Sequence, residues 1–124
     1  MPELAREEKE KLGSKPSRQL RRVQLQDIVL FRRNNNDVDI YVMKEGTLQV
    51  AGSEKTTIKE IRNKLAHTKM FIYANSSELV NERFILEIQS KVLKIAGDQW
   101  IYLTEIGRRH VQAYLKEASF KPHE

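Results

Sequence analysis

The chain has 124 residues, the size of one domain, which leaves no room for a receiver or kinase domain beside a second module of normal size. It contains no cysteine, which excludes disulfides, thiolate zinc sites and cysteine nucleophiles, and no apolar run approaches the ~20 residues that a membrane span needs. The net charge of +5 favours a polyanionic partner such as nucleic acid, although many basic domains bind none.

Residues 1–22 differ in composition from the rest of the chain. Residues 1–12 are dense in charge and offer only a thin apolar face, and Gly13 and Pro16 then interrupt any helix. No apolar stretch of a secretory signal is present in them. We expect a flexible arm or a short helix, which either strengthens nucleic-acid binding or docks on a partner or a second copy. The residues suited to the first role are Arg18, Arg21 and Arg22.

From Val23 the apolar residues alternate with period two or run together, as is typical of β-strands. Three such segments occur, at 23–31, 37–43 and 46–52. In the third, Leu48 and Val50 are expected on one face of the strand. The turn-forming stretches RRNNND and KEG separate the segments, so the pattern predicts an antiparallel meander of three strands.

A helix is predicted over about residues 57–66. Thr57 and Glu60 form a T-x-x-E capping box, in which the Thr hydroxyl accepts from the Glu60 amide and the carboxylate reaches back. The apolar stripe of this helix consists of Ile58, Ile61 and Leu65.

A polar insert, NSSELVNE (residues 75–82), separates the next two predicted strands. The strands of this half of the chain are 69–74, 83–88, 91–95 and 99–103. The insert lacks the Asn-Gly or Asp-Gly of a tight two-residue hairpin and is too long for one. The residues alone leave the role of this insert open.

The last predicted element is a helix that begins after Thr104, its N-cap candidate. Glu105 suits the positive end of the helix dipole. The partial apolar face consists of Ile106, Val111, Tyr114 and Leu115. Residues 118–124 are expected to form a tail.

Catalysis has little support in the sequence. His67, His110 and His123 are far apart and lack the spacing of metal ligands. No nucleophile–base motif and no phosphate-cradling glycine loop is present. We therefore expect no enzyme, no cofactor, no metal and no small-molecule substrate.

Polar stretches that could read bases are better represented. RRNNND carries arginines and asparagines, which form bidentate hydrogen bonds to guanine and adenine, although Asn is also an ordinary turn residue. GRRH (residues 107–110) places arginines near a helix N-terminus, where phosphates bind, but it could equally be a solvated helix face. ANSS (residues 74–77) offers short donors suited to phosphate or minor-groove contact.

The order of elements and several motifs resemble the LytTR DNA-binding domain of bacterial response regulators. The similarity covers about residues 23–115. The family pattern F-F-R-x-H-R-S-Y-L-V-N resembles FIYANSSELVN (residues 71–81), which keeps Phe71, Ser77, Leu79, Val80 and Asn81 in register. DIVLF (residues 27–31), TTIKEIRNKL (residues 56–65) and GDQWIYLTEIGRRHVQAYL (residues 97–115) resemble the first strand, the helix and the closing strand and helix of the family.

The resemblance implies a mostly β (α+β) fold of elongated, stacked antiparallel β-sheets, with one or two short helices and a C-terminal helix. The domain would span residues 23–117, between the arm of residues 1–22 and the tail of residues 118–124. The resemblance also favours a short helical turn at residues 76–81, with Asn81 tying the chain as it enters the next strand. The loops of the family enter successive major grooves of double-stranded DNA at repeated promoter sites. The residues implied here are Arg32, Arg33, Asn34, Asn35, Asn36, Tyr73, Asn75, Ser76, Ser77, Arg108 and Arg109.

The resemblance also implies a cytoplasmic transcription regulator without a receiver domain. A second copy on DNA and a membrane-bound inhibitor protein are the further partners that the family suggests. The chain departs from the family at contact positions, where Tyr73, Asn75 and Ser76 replace Arg, His and Arg or Asn, and where Glu78 and Glu105 introduce carboxylates. Because a carboxylate facing DNA would repel it, a second hypothesis remains: an interaction module of the same fold that modulates another regulator or an enzyme without binding DNA.

Overall fold

The computed structural model describes residues 23–118, and the expectations for residues 1–22 and for the tail beyond residue 118 lie outside this range. The strands are β1 (Ile28–Asn34), β2 (Asp37–Lys44), β3 (Thr47–Glu54), β4 (Phe71–Asn75), β5 (Glu78–Asn81), β6 (Ile85–Ile88), β7 (Val92–Ile95) and β8 (Gln99–Tyr102). The helices are α1 (Ile58–Leu65) and α2 (Glu105–Ala118). Short 3₁₀ turns occur at Leu25–Asp27, Ala66–Thr68 and Glu82–Phe84.

The strands form two antiparallel sheets, one with the order β3-β2-β1-β5-β4 and one with the order β6-β7-β8. The fold is therefore mostly β with a C-terminal helix, as predicted. Strand β1 is central and buries Ile28–Phe31 without interruption. Such a continuous apolar run is typical of a strand whose two faces are both covered.

Two hydrophobic cores cover the two faces of the larger sheet. The first core joins it to the smaller sheet and to α2 through residues such as Leu30, Val80, Leu93, Ile101 and Val111. The second core joins its other face to α1 through residues such as Phe31, Ile40, Ile58, Ile61 and Leu79. The large sheet is thus the middle layer of the domain, and it positions the loops at its ends.

The predicted start of the first strand at Val23 is wrong. Leu25–Asp27 form a 3₁₀ turn, and the strand begins at Ile28. The prediction for Asn81 is confirmed, because its buried amide donates to Ile28 O (2.8 Å) and accepts from Arg83 N (2.9 Å). The side chain thereby links β5 to the start of β1.

The prediction of a helical turn at residues 76–81 is also wrong. Asn75 pairs directly with Glu78, so Ser76 and Ser77 form a two-residue turn between β4 and β5. The side chain of Asn75 accepts from Ser77 N (2.8 Å). This Asx turn stabilises a tight turn that lacks the usual Asn-Gly sequence. Leu79 and Val80 then alternate between the second and the first core, as strand residues do.

The capping of both helices is as predicted, with one difference. Thr57 Oγ1 accepts from Glu60 N and Thr104 Oγ1 accepts from Gly107 N, each at 3.1 Å. The Glu60 carboxylate accepts from the hydroxyl of Thr56 (2.8 Å), which competes with the reciprocal bond expected of a capping box.

The apolar faces of α2 and β3 differ from the prediction. Ile106 and Leu115 are exposed, whereas Gly107 and Val111 are buried. Gly107 lies directly on β4, where any Cβ would collide with the carbonyl of Ala74, so α2 covers an edge of the sheet. On β3, Leu48 packs on the first core, whereas Val50, two residues further along the strand, is exposed.

Candidate nucleic-acid interface

The structure brings the three predicted contact regions together along one edge. Arg33 N at the end of β1 donates to Ser77 O (2.8 Å) in the β4–β5 turn. Next to that turn, Thr104 N before α2 donates to Ala74 O (3.1 Å). We call the combined surface of residues 32–37, 73–77 and 104–109 the contact edge. Hydrogen bonds between backbones fix its three parts relative to one another.

The β1–β2 connection is shorter than the predicted loop at residues 32–37. Arg32, Arg33 and Asn34 belong to β1, and only Asn35 and Asn36 form the turn. Asn35 has a φ of 58°, a left-handed conformation that Asn tolerates better than most residues. The side chains from Arg33 to Asn36 are exposed, so this turn presents a basic and amide-rich tip.

Arg32 is engaged within the protein. Its Nε lies 2.7 Å from Glu78 Oε2, and its guanidinium lies 5.1 Å from the centre of the Tyr41 ring. Partial burial acts to lower the pKa of Arg32, but the hydrogen bond and the charge of Glu78 outweigh it and raise this pKa. Glu78, which replaces a family Tyr, therefore faces an arginine and is largely buried, and its charge is neutralised locally.

Asn75 is equally engaged. Its Nδ2 donates to Glu78 Oε1 (2.9 Å) and to Tyr102 O (2.7 Å), while its Oδ1 accepts from Ser77 N (2.8 Å). These bonds tie β8 to the β4–β5 turn. The side chain thus builds the contact edge, and the exposed residue of this turn is Ser76.

Tyr73 belongs to a cluster that the sequence interpretation missed. The guanidinium of Arg62 on α1 lies 4.7 Å from the centre of the Tyr73 ring and 3.1 Å from His110 Nε2 on α2. Burial, and then the positive charge of Arg62, lower the pKa of His110. Neutral His110 can accept a hydrogen bond from Arg62 at Nε2. The sequence marks Arg62 only as one of two basic residues in the last turn of α1, beside Lys64.

The start of α2 carries a compact group of charges. Glu105 lies 3.5 Å from Arg108 and 3.8 Å from Arg109, so its carboxylate is paired within the helix. Arg109 is largely exposed and Arg108 is partly covered. Two arginines against one glutamate leave a positive balance at this helix N-terminus, which itself favours anions.

The predicted contact residues therefore fall into two groups by exposure. The exposed group comprises Arg33, Asn34, Asn35, Asn36, Ser76 and Arg109. The partly buried group comprises Arg32, Tyr73, Asn75, Ser77 and Arg108.

Two other kinds of site are absent from residues 23–118. No three His, Asp or Glu side chains in this range come together in a way that could hold a metal ion. Over the same residues, no helix combines the length and the apolar character needed to cross a membrane.

Comparison with known proteins identifies the class of the fold. No protein-family model and no curated protein matches the chain. Among solved structures, the LytTr DNA-binding domain of a Bacillus cereus protein superposes with a TM-score of 0.54 at 18% identity, covering 76% of this chain and 83% of that one. The resemblance drawn from the sequence is thus confirmed at the level of the fold: the chain has the fold of a LytTR-type DNA-binding domain. The contact residues stay predictions.

Proposed function

We propose that the protein is a transcription regulator of LytTR type that binds specific double-stranded DNA through the contact edge. The single observation that carries this proposal is the pairing of both unexpected carboxylates with arginines: Glu78 with Arg32, and Glu105 with Arg108 and Arg109. Their repulsion of phosphates is therefore reduced, and apart from Glu105 the exposed residues of the edge are basic or neutral. The similar solved structure, named as a DNA-binding domain, supports the same function.

Within the contact edge, we assign different roles to different side chains. Arg33 and the exposed asparagines of the β1–β2 tip have the side chains that read base edges. Ser76 and Arg109 suit contacts with phosphate, which fix register without reading sequence. Arg32, Asn75 and Glu78 act as the support of the edge.

The wider proposal follows the fold. The protein acts in the bacterial cytoplasm on a repeated promoter site, which two copies occupy, and a membrane-bound inhibitor protein controls it. It has no catalytic activity, because the proposed role requires only binding.

One observation favours a second candidate, a protein-interaction module. Trp100 and Tyr102 on β8 are exposed by 50% and 62%. Tyr102 immediately precedes the β8–α2 junction, and Trp100 is covered only in part by Lys94, whose Nζ lies 5.6 Å from the ring centre. Exposed aromatic residues are enriched where proteins bind one another.

Selection of bound duplexes from a random pool, followed by titration of the selected duplex at several salt concentrations, tests the proposal. We expect one sequence to be enriched and its affinity to fall steeply as salt rises. Recovery of no enriched duplex would favour the interaction module. In that case Trp100→Ser with Tyr102→Ser should abolish capture of a single stoichiometric protein partner, whereas under the DNA-binding proposal these changes leave duplex affinity unaltered.

A further inference from the structure

The second core is incompletely filled. A cavity of about 350 Å³ opens between α1 and the large sheet. Its walls are mainly apolar and include Val23, Leu25, Phe31, Ile40, Ile61 and Leu65. Helix α1 has only eight residues and covers only part of the sheet face beneath it. We call this cavity the α1 groove.

One wall of the α1 groove carries an unsatisfied carboxylate. Glu54, the last residue of β3, lines the groove together with Thr56 and Lys64. Its Oε1 is buried and has no hydrogen-bond partner among residues 23–118. Because leaving a buried acceptor unpaired costs free energy, a ligand that donates a hydrogen bond to this atom would be stabilised there. The groove therefore fits a cation attached to an apolar body.

The chain itself carries this chemistry next to the groove. Residues 15–22 read KPSRQLRR and lead directly into Val23, which lines the groove. An extended chain spans at most roughly 3.5 Å per residue, so the covalent chain limits the reach of Leu20, Arg21 and Arg22 from Val23 to about 11 Å. This tether gives the segment a high effective concentration at the groove, which a free ligand lacks.

We propose that residues 15–22 dock in the α1 groove, with Leu20 against its apolar walls and the Arg21–Arg22 pair donating to Glu54 Oε1. Docking completes the second core and satisfies the one carboxylate oxygen that β3 leaves unpaired. It assigns a structural role to the segment directly before the domain. The inference does not depend on DNA binding.

The absence of cysteine allows a direct test on the full chain. A nitroxide label on Ser17→Cys should remove most of the amide NMR signal of Glu54, Ile61 and Leu65, while the amides of Leu93 and Ile101 in the first core keep theirs. Unchanged signals around the groove overturn the proposal. Signal loss that persists when the label and the ¹⁵N isotope are on different molecules also overturns it, because a second copy is then the occupant.

Variants separate the two halves of the contact. Leu20→Ser, and Arg21→Gln with Arg22→Gln, should each restore the signals lost near the label, and Glu54→Gln should restore them without changing the spectrum of the first core. Leu4→Ser, equal in chemistry but remote in sequence, should leave the signal loss intact. Benzamidine, an apolar cation, should bind the Leu20→Ser variant more tightly than the native chain. Equal binding would show that the groove is empty in the native protein, and the proposal fails.

Discussion

The two hairpins of the contact edge use asparagine in opposite ways. In the β1–β2 turn, Asn35 takes a left-handed backbone conformation and Asn36 projects into solvent. At the end of β4, directly before the β4–β5 turn, the amide group of Asn75 forms hydrogen bonds with Ser77, Glu78 and Tyr102. Both turns have two residues and polar sequences. The asparagines of the first turn are exposed to solvent, whereas the asparagine beside the second turn is hydrogen-bonded within the protein. Composition alone therefore does not distinguish an exposed residue that is proposed to contact DNA from one that supports the contact edge from within.

The largest expected difference between the hairpins is in stability. Asn75→Ala removes three hydrogen bonds, and at about 1 kcal/mol each it should lower the free energy of unfolding by about 3 kcal/mol. Asn36→Ala, the matched change in the exposed turn, should alter it by less than about 0.5 kcal/mol. Urea unfolding of both variants measures the difference, and equal midpoints would contradict the supporting role of Asn75.

The adjacent arginines of β1 differ in the same way, because Arg32 is partly buried and Arg33 is exposed. Arg32→Ala leaves the largely buried Glu78 carboxylate without its cation and should cost about 1 to 2 kcal/mol of stability, since solvent screens the pair in part. Arg33→Ala should leave stability within about 0.5 kcal/mol of the native value, because its side chain is exposed. Arg33→Ala should instead weaken binding of the selected duplex about tenfold, which is about 1.4 kcal/mol.

Unfolding curves and anisotropy titrations of the two variants give both quantities. The two variants also test the assignment of roles. An Arg33→Ala protein that unfolds at a lower urea concentration than the native protein, but binds the duplex with native affinity, would contradict it.

The smallest expected effect concerns pH. The pKa of His110 is lowered in the folded protein, so the unfolded chain binds the proton more readily. The contribution of neutral His110 to stability is fully present above its unfolded pKa and is lost as pH falls through the folded value, where the hydrogen bond from Arg62 breaks. Urea unfolding should show a slight loss of stability towards pH 5 that is absent from His110→Asn. An identical pH profile in the variant would exclude His110 as the source.

Much of the fold could be predicted from local sequence. The Thr57 cap with the 3.6-residue spacing of Ile58, Ile61 and Leu65 gave α1 to within a residue. The run at Ile28–Phe31 gave the central strand. These signals are local, because caps and periodicity depend on neighbouring residues.

The rest depended on contacts between distant residues. The Arg32–Glu78 pair joins β1 to β5, and Asn75 reaches Tyr102 on the second sheet. No local pattern indicates such pairings, so the sequence predicts these side chains as contact residues or as sources of repulsion. The buried face of α2 was misassigned for the same reason: only the proximity of the Ala74 carbonyl shows why Gly107 is required.

The most direct test of the central claim is the salt dependence of duplex affinity for two double variants of equal charge change. Arg33→Ala with Arg109→Ala removes two exposed cations from the contact edge, and Arg83→Ala with Lys44→Ala removes two exposed cations outside it. We expect the first variant to lose at least tenfold in affinity and the slope of its log K against log salt to fall by about 1 for each lost phosphate contact, while the second variant stays near the native values. Equal losses in both variants, or none in either, would contradict binding through the contact edge.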